Sequence, residues 1–121
     1  MILADYIQQN LDRPFEWGQH DCVTFAANWL KLSTGVDYLS DLKSWTTAKE
    51  AAKQIKSVGG LENALDTRLK RINPNMAKDG DVALYKGAVC IFTGRNIVGT
   101  GDLKLTFNIR MLAEGAWTCR P

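Results

Sequence analysis

The strongest hydrophobic pattern of the chain begins at Cys22. Apolar side chains recur there at the spacing of one helix face, at Cys22, Phe25, Ala26, Trp29 and Leu30. This i, i+3, i+4, i+7, i+8 pattern is typical of a helix that buries one side. Asp21 stands where an N-cap residue belongs, and Gly35 stands where a C-terminal stop belongs. We therefore predict that Cys22 opens a central helix.

Two other stretches before residue 72 also have helical character. Apolar residues between Ile2 and Leu11 predict a first helix that ends before Pro14. Thr47 followed by Glu50 has the pattern of a capping box and predicts a surface helix that ends at the Gly59-Gly60 pair. The segment that follows is expected to add one more helical turn. The helical part of the chain thus covers about residues 1–72.

After residue 78 the pattern changes from helical to extended. Residues 82–85, 88–93 and 97–98 are short apolar runs separated by turn residues, and each predicts a strand. Residues 103–109 alternate apolar with polar, which is typical of a strand with one buried face. The tail around Trp117 is expected to pack onto the body of the protein. Helices followed by an antiparallel sheet predict an α+β fold, with the sheet in about residues 78–121.

Composition narrows the class of protein but does not change this prediction. A chain of 121 residues forms one domain, here residues 1–121, and a net charge of +2 gives no basis for a nucleic-acid partner. No apolar run reaches membrane-spanning length, and residues 1–7 lack the basic segment of a signal peptide. Three cysteines are an odd number with no paired spacing, so we expect reduced thiols and a reducing cytoplasm. The four tryptophans are expected to serve the core, with Trp17 as the one that could line a cleft.

Cys22 is the candidate for chemistry. In the first turn of a helix, free backbone N–H groups and the helix dipole favour an anion, so the sequence predicts a lowered thiol pKa and a nucleophile. The alternative is a cysteine that only packs, because Cys is among the residues that are most often buried. Both interpretations stay open on spacing alone.

The order of the elements resembles a known family. A helix that starts with Asp21-Cys22, before a sheet whose first strand opens with Gly80-Asp81, is similar to the NlpC family of cell-wall cysteine peptidases. That resemblance implies a compact papain-like fold. More closely, the segment from Trp17 to Phe25, the Gly59-Gly60 pair and Trp117 resemble a small family encoded among phage and prophage tail genes and related to those peptidases. The resemblance covers most of the chain, and its one specific motif is WGxxDCxxF.

The chain departs from the active pattern of that family at the catalytic base. The resemblance implies a Cys nucleophile, which Cys22 matches, and a His at the start of the second core strand, which falls here at Gly87 or Ala88. Neither residue accepts a proton. For the third residue, which orients the base, the nearest polar candidates are Asn108 and Thr106 on the last strand.

His20 is the only histidine, two residues before the cysteine. It would replace the missing base only by folding back over the N-cap and pairing with Asp21. We prefer the interpretation that His20 is a loop residue hydrogen-bonded to backbone. The candidate remnant site is therefore Cys22, His20 and Asp21, and no metal or cofactor is predicted because no second cluster has ligand spacing.

Three functions are consistent with these features. The one we favour, implied by the resemblance, is a structural or assembly protein of a phage tail, near the tip or baseplate, with a degenerate peptidase fold. Its partners would be other tail proteins, and it would be made in the host cytoplasm and located in the virion. The alternative is an active peptidoglycan endopeptidase that acts through an acyl-enzyme on Cys22, and the third is an unrelated thiol-dependent hydrolase or transferase.

Overall fold

The computed structural model describes residues 2–121, which form four helices and six strands, so the predicted α+β class is confirmed. Met1 lies outside the described residues. The helices are α1 Leu3–Asn10, α2 Cys22–Thr34, α3 Ala48–Ser57 and α4 Leu61–Arg68. The strands are β1 Lys70–Ile72, β2 Val82–Tyr85, β3 Ala88–Thr93, β4 Asn96–Gly99, β5 Thr106–Ile109 and β6 Gly115–Thr118. Within residues 2–121, no helix has the length and apolar character needed to cross a bilayer.

The strands form one antiparallel sheet in the order β1-β6-β2-β3-β4-β5. Strands β2, β3 and β4 follow one another as a meander, as the sequence predicts. Two features differ from the prediction. The sheet begins before residue 78, at β1, and the tail around Trp117 is a strand, β6, inserted between β1 and β2.

Helix α2 is the central helix, and its ends are those predicted. The Asp21 side chain accepts a hydrogen bond from the Thr24 amide while the Thr24 hydroxyl accepts one from the Asp21 amide, and Gly35 ends the helix with a φ of 81°. Its buried face packs on the sheet against Val82, Val89, Ile91 and Val98. The Trp29 indole N–H donates to the Gly80 carbonyl at 3.0 Å, which ties α2 to the start of β2. The predicted packing of the Cys22 helix on an antiparallel sheet is therefore confirmed.

A buried carboxylate fastens the end of the chain to the sheet. Asp81 accepts hydrogen bonds from the Thr118 hydroxyl at 2.7 Å and from the Arg120 guanidinium at 2.6 Å. Burial works to raise the pKa of Asp81, but these donors and the Lys78 amide hold that pKa below its usual value. The residues after β6 are thus anchored beside the start of β2.

The strand predicted from the alternation of residues 103–109 is shorter and more exposed than expected. Only residues 106–109 form β5, and of the four apolar positions only Leu105 is buried. Leu103, Phe107 and Ile109 are exposed, so the prediction of a buried apolar face is wrong there. The reason is the strand order, because β5 is the last strand of the sheet, whereas α2 packs against β3 and α4 against β1.

Candidate functional site

Cys22 is the first residue of α2, and its half-buried side chain faces a cleft of about 260 Å³. We call this space the Cys22 cleft. Its walls include Trp17, Trp45 and Gly87, and one side is formed by the α3 residues Ala48, Ala52 and Ile55. The lining is mainly apolar, so the cleft suits an apolar group better than a charged one. As the sequence indicates, Trp17 lines the cleft. Trp29, Trp45 and Trp117 are buried, although Trp45 also lines the cleft.

The acidity of the Cys22 thiol differs from the prediction. Burial raises the pKa of Cys22 above its ordinary value, and the negative charge of Asp21 raises it further. Backbone N–H groups, chiefly that of Val89, lower the pKa, but they do not outweigh burial. The expectation of a thiol activated by the helix N-terminus is therefore wrong. The thiol is protonated at neutral pH and is a weak nucleophile.

Asp21 is fully used in holding the local structure together. One carboxylate oxygen accepts from the Gly18 amide at 2.8 Å and from the Trp45 indole N–H at 2.7 Å. The other accepts from the Thr24 amide at 2.8 Å and from the Thr24 hydroxyl at 3.1 Å. The side chain is 2% exposed. A carboxylate with four donors has no acceptor site left for an imidazole, so the pairing with His20 that a substitute base would need is not formed.

His20 lies in the core rather than in the Cys22 cleft. Its side chain is 1% exposed, and its ring packs edge-on against Phe25 with ring centres 5.7 Å apart. Within residues 2–121, the His20 Nε2 atom has no hydrogen-bond partner, so it neither accepts from the Cys22 thiol nor donates to a carboxylate. Burial lowers the pKa of His20, and the positive charge of Arg13 lowers it further. The residue is a neutral core histidine. The preferred interpretation, a loop residue hydrogen-bonded to backbone, is correct only for the His20 main chain. Its N–H donates to the Glu16 carbonyl, and its carbonyl accepts from the Glu16 N–H.

One of the two positions at which the resemblance implies a catalytic base, Gly87, lies in the wall of the same cleft as Cys22. Gly87 lines the Cys22 cleft, whereas Ala88 pairs with Tyr85, which packs on the sheet face opposite α2. Gly87 is the second residue of the two-residue turn between β2 and β3, with a φ of 74° after a φ of 49° at Lys86. Both residues need left-handed backbone, and Gly adopts it at no steric cost. Of the two positions that the sequence leaves open, Gly87 is therefore the one that faces Cys22.

The candidates for the third catalytic residue are remote from this cleft. Thr106 and Asn108 belong to β5, at the sheet edge and two strands away from β3. Neither lines the Cys22 cleft. In the part of the chain that the structure describes, no group of three or more His, Cys, Asp or Glu side chains could hold a metal ion. The structure thus brings together Cys22, Asp21 and Gly87, and it separates His20 from them.

A family model matches residues 2–119 of the chain, and its description is Domain of unknown function (DUF6950). The chain belongs to the DUF6950 family. The match extends over α1–α4 and all six strands except for the last residues of the tail, so the helices and the sheet form the domain of that family together. Comparisons with the curated proteins and with the solved structures found no match.

Trp45 is the residue of the site that the sequence did not indicate. It comes from the irregular segment between α2 and α3, 24 residues after Asp21, and its indole is buried. Its backbone also fits closely against Gly18, since a Cβ on Gly18 would lie 1.8 Å from the Trp45 carbonyl oxygen. The spacing of Gly18 and Asp21 is thus explained by their contacts with Trp45: Gly18 packs against its carbonyl, and Asp21, the N-cap of α2, accepts from its indole.

Proposed function

We propose that this protein is a structural or assembly component of a phage tail, near the tip or baseplate, built on a papain-like NlpC-type fold that has lost its catalytic base. One observation supports the loss of catalysis: Cys22 shares its cleft with Gly87, which is one of the two positions at which the resemblance places the base. Acyl transfer needs a group that takes the thiol proton and later protonates the leaving amine. Glycine has no side chain to do either.

The surroundings of Cys22 support the same conclusion. The raised thiol pKa keeps the nucleophile protonated, and the two residues before Cys22 are occupied by core packing and helix capping. The geometry of a peptidase site is thus retained at one residue only. Scaffolds commonly persist after the site that they once carried is lost.

The tail assignment rests on the sequence resemblance around Trp17-Gly18 and Asp21-Cys22. These residues form a corner of the molecule in which the Asp21 carboxylate accepts from the Gly18 amide and from the Trp45 indole. A motif whose residues stabilise the fold is consistent with a structural or assembly protein. The proposed partners are other tail or baseplate proteins, and the proposed location is the virion.

The first experiment tests catalysis directly. Wild type, Cys22→Ala and His20→Ala are incubated with purified cell-wall sacculi, and the release of soluble peptides is measured. We expect equal background release from all three, because Cys22 has no base. Release by the wild type that is abolished in both variants would contradict the proposal and support a peptidoglycan endopeptidase that uses Cys22 and His20.

The second experiment tests the role in the tail. In a phage or prophage that encodes the protein, its gene is deleted and then complemented with wild type or Cys22→Ser. We expect the deletion to lower the titre of infectious particles, and both complementing genes to restore it equally. An unchanged titre after deletion would contradict the tail assignment, and rescue by the wild type alone would contradict the non-catalytic one.

A further inference from the structure

The wall of the Cys22 cleft that α3 provides consists mainly of small side chains. Ala48, Ala51 and Ala52 line the cleft there, together with Ile55. Ala52 is itself exposed, so it lies at the mouth of the cleft. Apolar cavities of roughly 150 Å³ bind benzene, and the Cys22 cleft has a volume of about 260 Å³. It therefore has room for one large apolar side chain of another molecule.

A row of three lysines borders this mouth. Lys49, Lys53 and Lys56 follow one another on α3 at spacings of four and three residues, which places them along one side of the helix. Ala52 comes three residues after Lys49 and four before Lys56, so it is a neighbour of both on the helix surface. We call the three residues the lysine row. It extends over about 10 Å of the helix axis.

The charge of the lysine row is not balanced within the chain. Met1 aside, none of the three lysines forms a salt bridge, whereas three arginines elsewhere do. Glu50, the acidic residue of α3, accepts instead from the Thr46 amide and from the hydroxyls of Thr46 and Thr47. Like charges four residues apart on a helix, as at Lys49 and Lys53, are destabilising. The row is therefore complementary to a partner with several negative charges.

We propose that the Cys22 cleft and the lysine row bind an acidic segment of another protein, with one large apolar side chain in the cleft and carboxylates along the row. Burial of the apolar side chain supplies affinity. The lysines select an acidic sequence and fix its direction.

The length of the lysine row favours a peptide over a lipid. Side chains on one face of an extended chain are about 7 Å apart, and Lys53 follows Lys49 after about 6 Å of helix. Alternate acidic residues of an extended segment thus match successive lysines. A fatty acid has one carboxylate and would leave most of the row without a partner.

The other walls of the cleft fix where the acidic residues lie. Trp17 forms one of these walls, and the exposed Glu16 precedes it. Negative charge would repel carboxylates there, so the acidic part of the segment lies on the α3 side. The inference rests on the proposed function, because a peptide that is bound and not cleaved needs a cleft without a catalytic base.

The first test measures the binding of labelled synthetic peptides to the full chain by fluorescence anisotropy. The acidic probe has the sequence Phe-Ser-Glu-Ser-Glu-Ser-Glu. One control peptide has Ala in place of Phe, and the other has Gln in place of every Glu. We expect a Kd below about 1 mM for the acidic probe, and binding at least about fivefold weaker for each control peptide.

The second test blocks the mouth of the cleft. Ala52→Trp places a large side chain there and should weaken binding of the acidic probe at least about tenfold. Ala4→Trp is the matched control, because Ala4 is also an exposed helical alanine but lies on α1, and it should leave the Kd unchanged. Near-ultraviolet circular dichroism checks that both variants are folded.

The third test concerns the lysine row and leaves the cleft intact. Lys49→Gln combined with Lys53→Gln should weaken binding of the acidic probe at least about fivefold and leave binding of the Gln control peptide unchanged. Lys78→Gln combined with Lys104→Gln is the matched control. It removes the same charge from exposed positions outside α3, and it should leave both affinities unchanged.

Mass spectrometry of the probe after each titration separates this inference from the proposed function. Cleavage that is lost in Cys22→Ala would contradict the proposed function, on which the inference rests. An intact acidic probe that does not bind at about 1 mM would overturn the inference alone. Equal affinities for the Glu and Gln peptides would also overturn it, because the lysine row would then have no role. Binding of decanoate that Ala52→Trp blocks, without binding of the acidic probe, would place a lipid in the cleft instead.

Discussion

Replacing Asp21 by Asn should destabilise the fold strongly, although the two side chains have nearly the same shape. Each carboxylate oxygen accepts two hydrogen bonds, from Gly18 and Trp45 on one side and from Thr24 on the other. The introduced NH₂ group would face two N–H donors on the Gly18 and Trp45 side, and the Thr24 amide on the other side, where the Thr24 hydroxyl can rotate to accept. Leaving a buried donor unpaired costs about 1–3 kcal/mol. We expect the free energy of unfolding to fall by about 3 kcal/mol, which is a large part of the stability of a small domain.

Urea unfolding followed by tryptophan fluorescence measures this loss. With an unchanged slope, a loss of this size should lower the midpoint by more than about 1 M. Asp37→Asn is the matched control, because Asp37 is exposed and accepts one bond, from the Leu39 amide, so its effect should stay below about 0.5 kcal/mol.

Trp45→Phe, alone and combined with Asp21→Asn, gives the coupling energy between the carboxylate and the indole. We expect a coupling of about 1 kcal/mol or more. A loss below about 1 kcal/mol for Asp21→Asn, or no coupling to Trp45, would refute the view that Asp21 is the structural centre of this corner.

Two other changes test the same region. Gly18→Ala should lower the free energy of unfolding by more than about 2 kcal/mol in the same assay. The reason is that its Cβ would lie 1.8 Å from the Trp45 carbonyl oxygen and that its φ is 80°. A loss within experimental error would disprove this close approach. Burial lowers the pKa of His20, so the unfolded state binds the proton first and stability should decrease as pH falls below about 6.5, by at most about 1.4 kcal/mol per pH unit. In His20→Gln the urea midpoint should change less with pH between about pH 5 and 7 than in the wild type. An equally steep pH dependence in that variant would show that other groups cause it.

The elements fixed by local pattern could be predicted from the sequence. The helix after Asp21 and the strands on either side of Lys86-Gly87 have the expected bounds, because spacing, capping and turn residues act over a few positions. The α+β class followed from these elements. The papain-like fold stays a prediction that rests on the resemblance.

The parts that depend on distant contacts could not be predicted. Strand β6 is four residues long and gains its place from pairing with β1 and β2, which no local pattern encodes. The exposure of Phe107 follows from the strand order, and the alternation of apolar and polar residues along 103–109 does not indicate it. For the Cys22 thiol, the sequence indicates the helix N-terminus, which lowers its pKa, but not the depth of burial, which raises it.

The position of β6 also determines the order in which the sheet is completed. Strands β1 and β2 are successive in the chain, yet a gap one strand wide separates them until residues 115–118 enter it. Before that step β2 is an exposed edge, β1 has no partner strand, and the helical layer has no Trp117 to pack against. Central strand pairing thus requires contacts that are far apart in sequence, which are slow to form because the intervening chain must be closed into a loop first. A nascent chain that has not yet emerged beyond residue 114 holds the lone strand β1 and an incomplete sheet of β2–β5, and the strand that joins them is made after the other five.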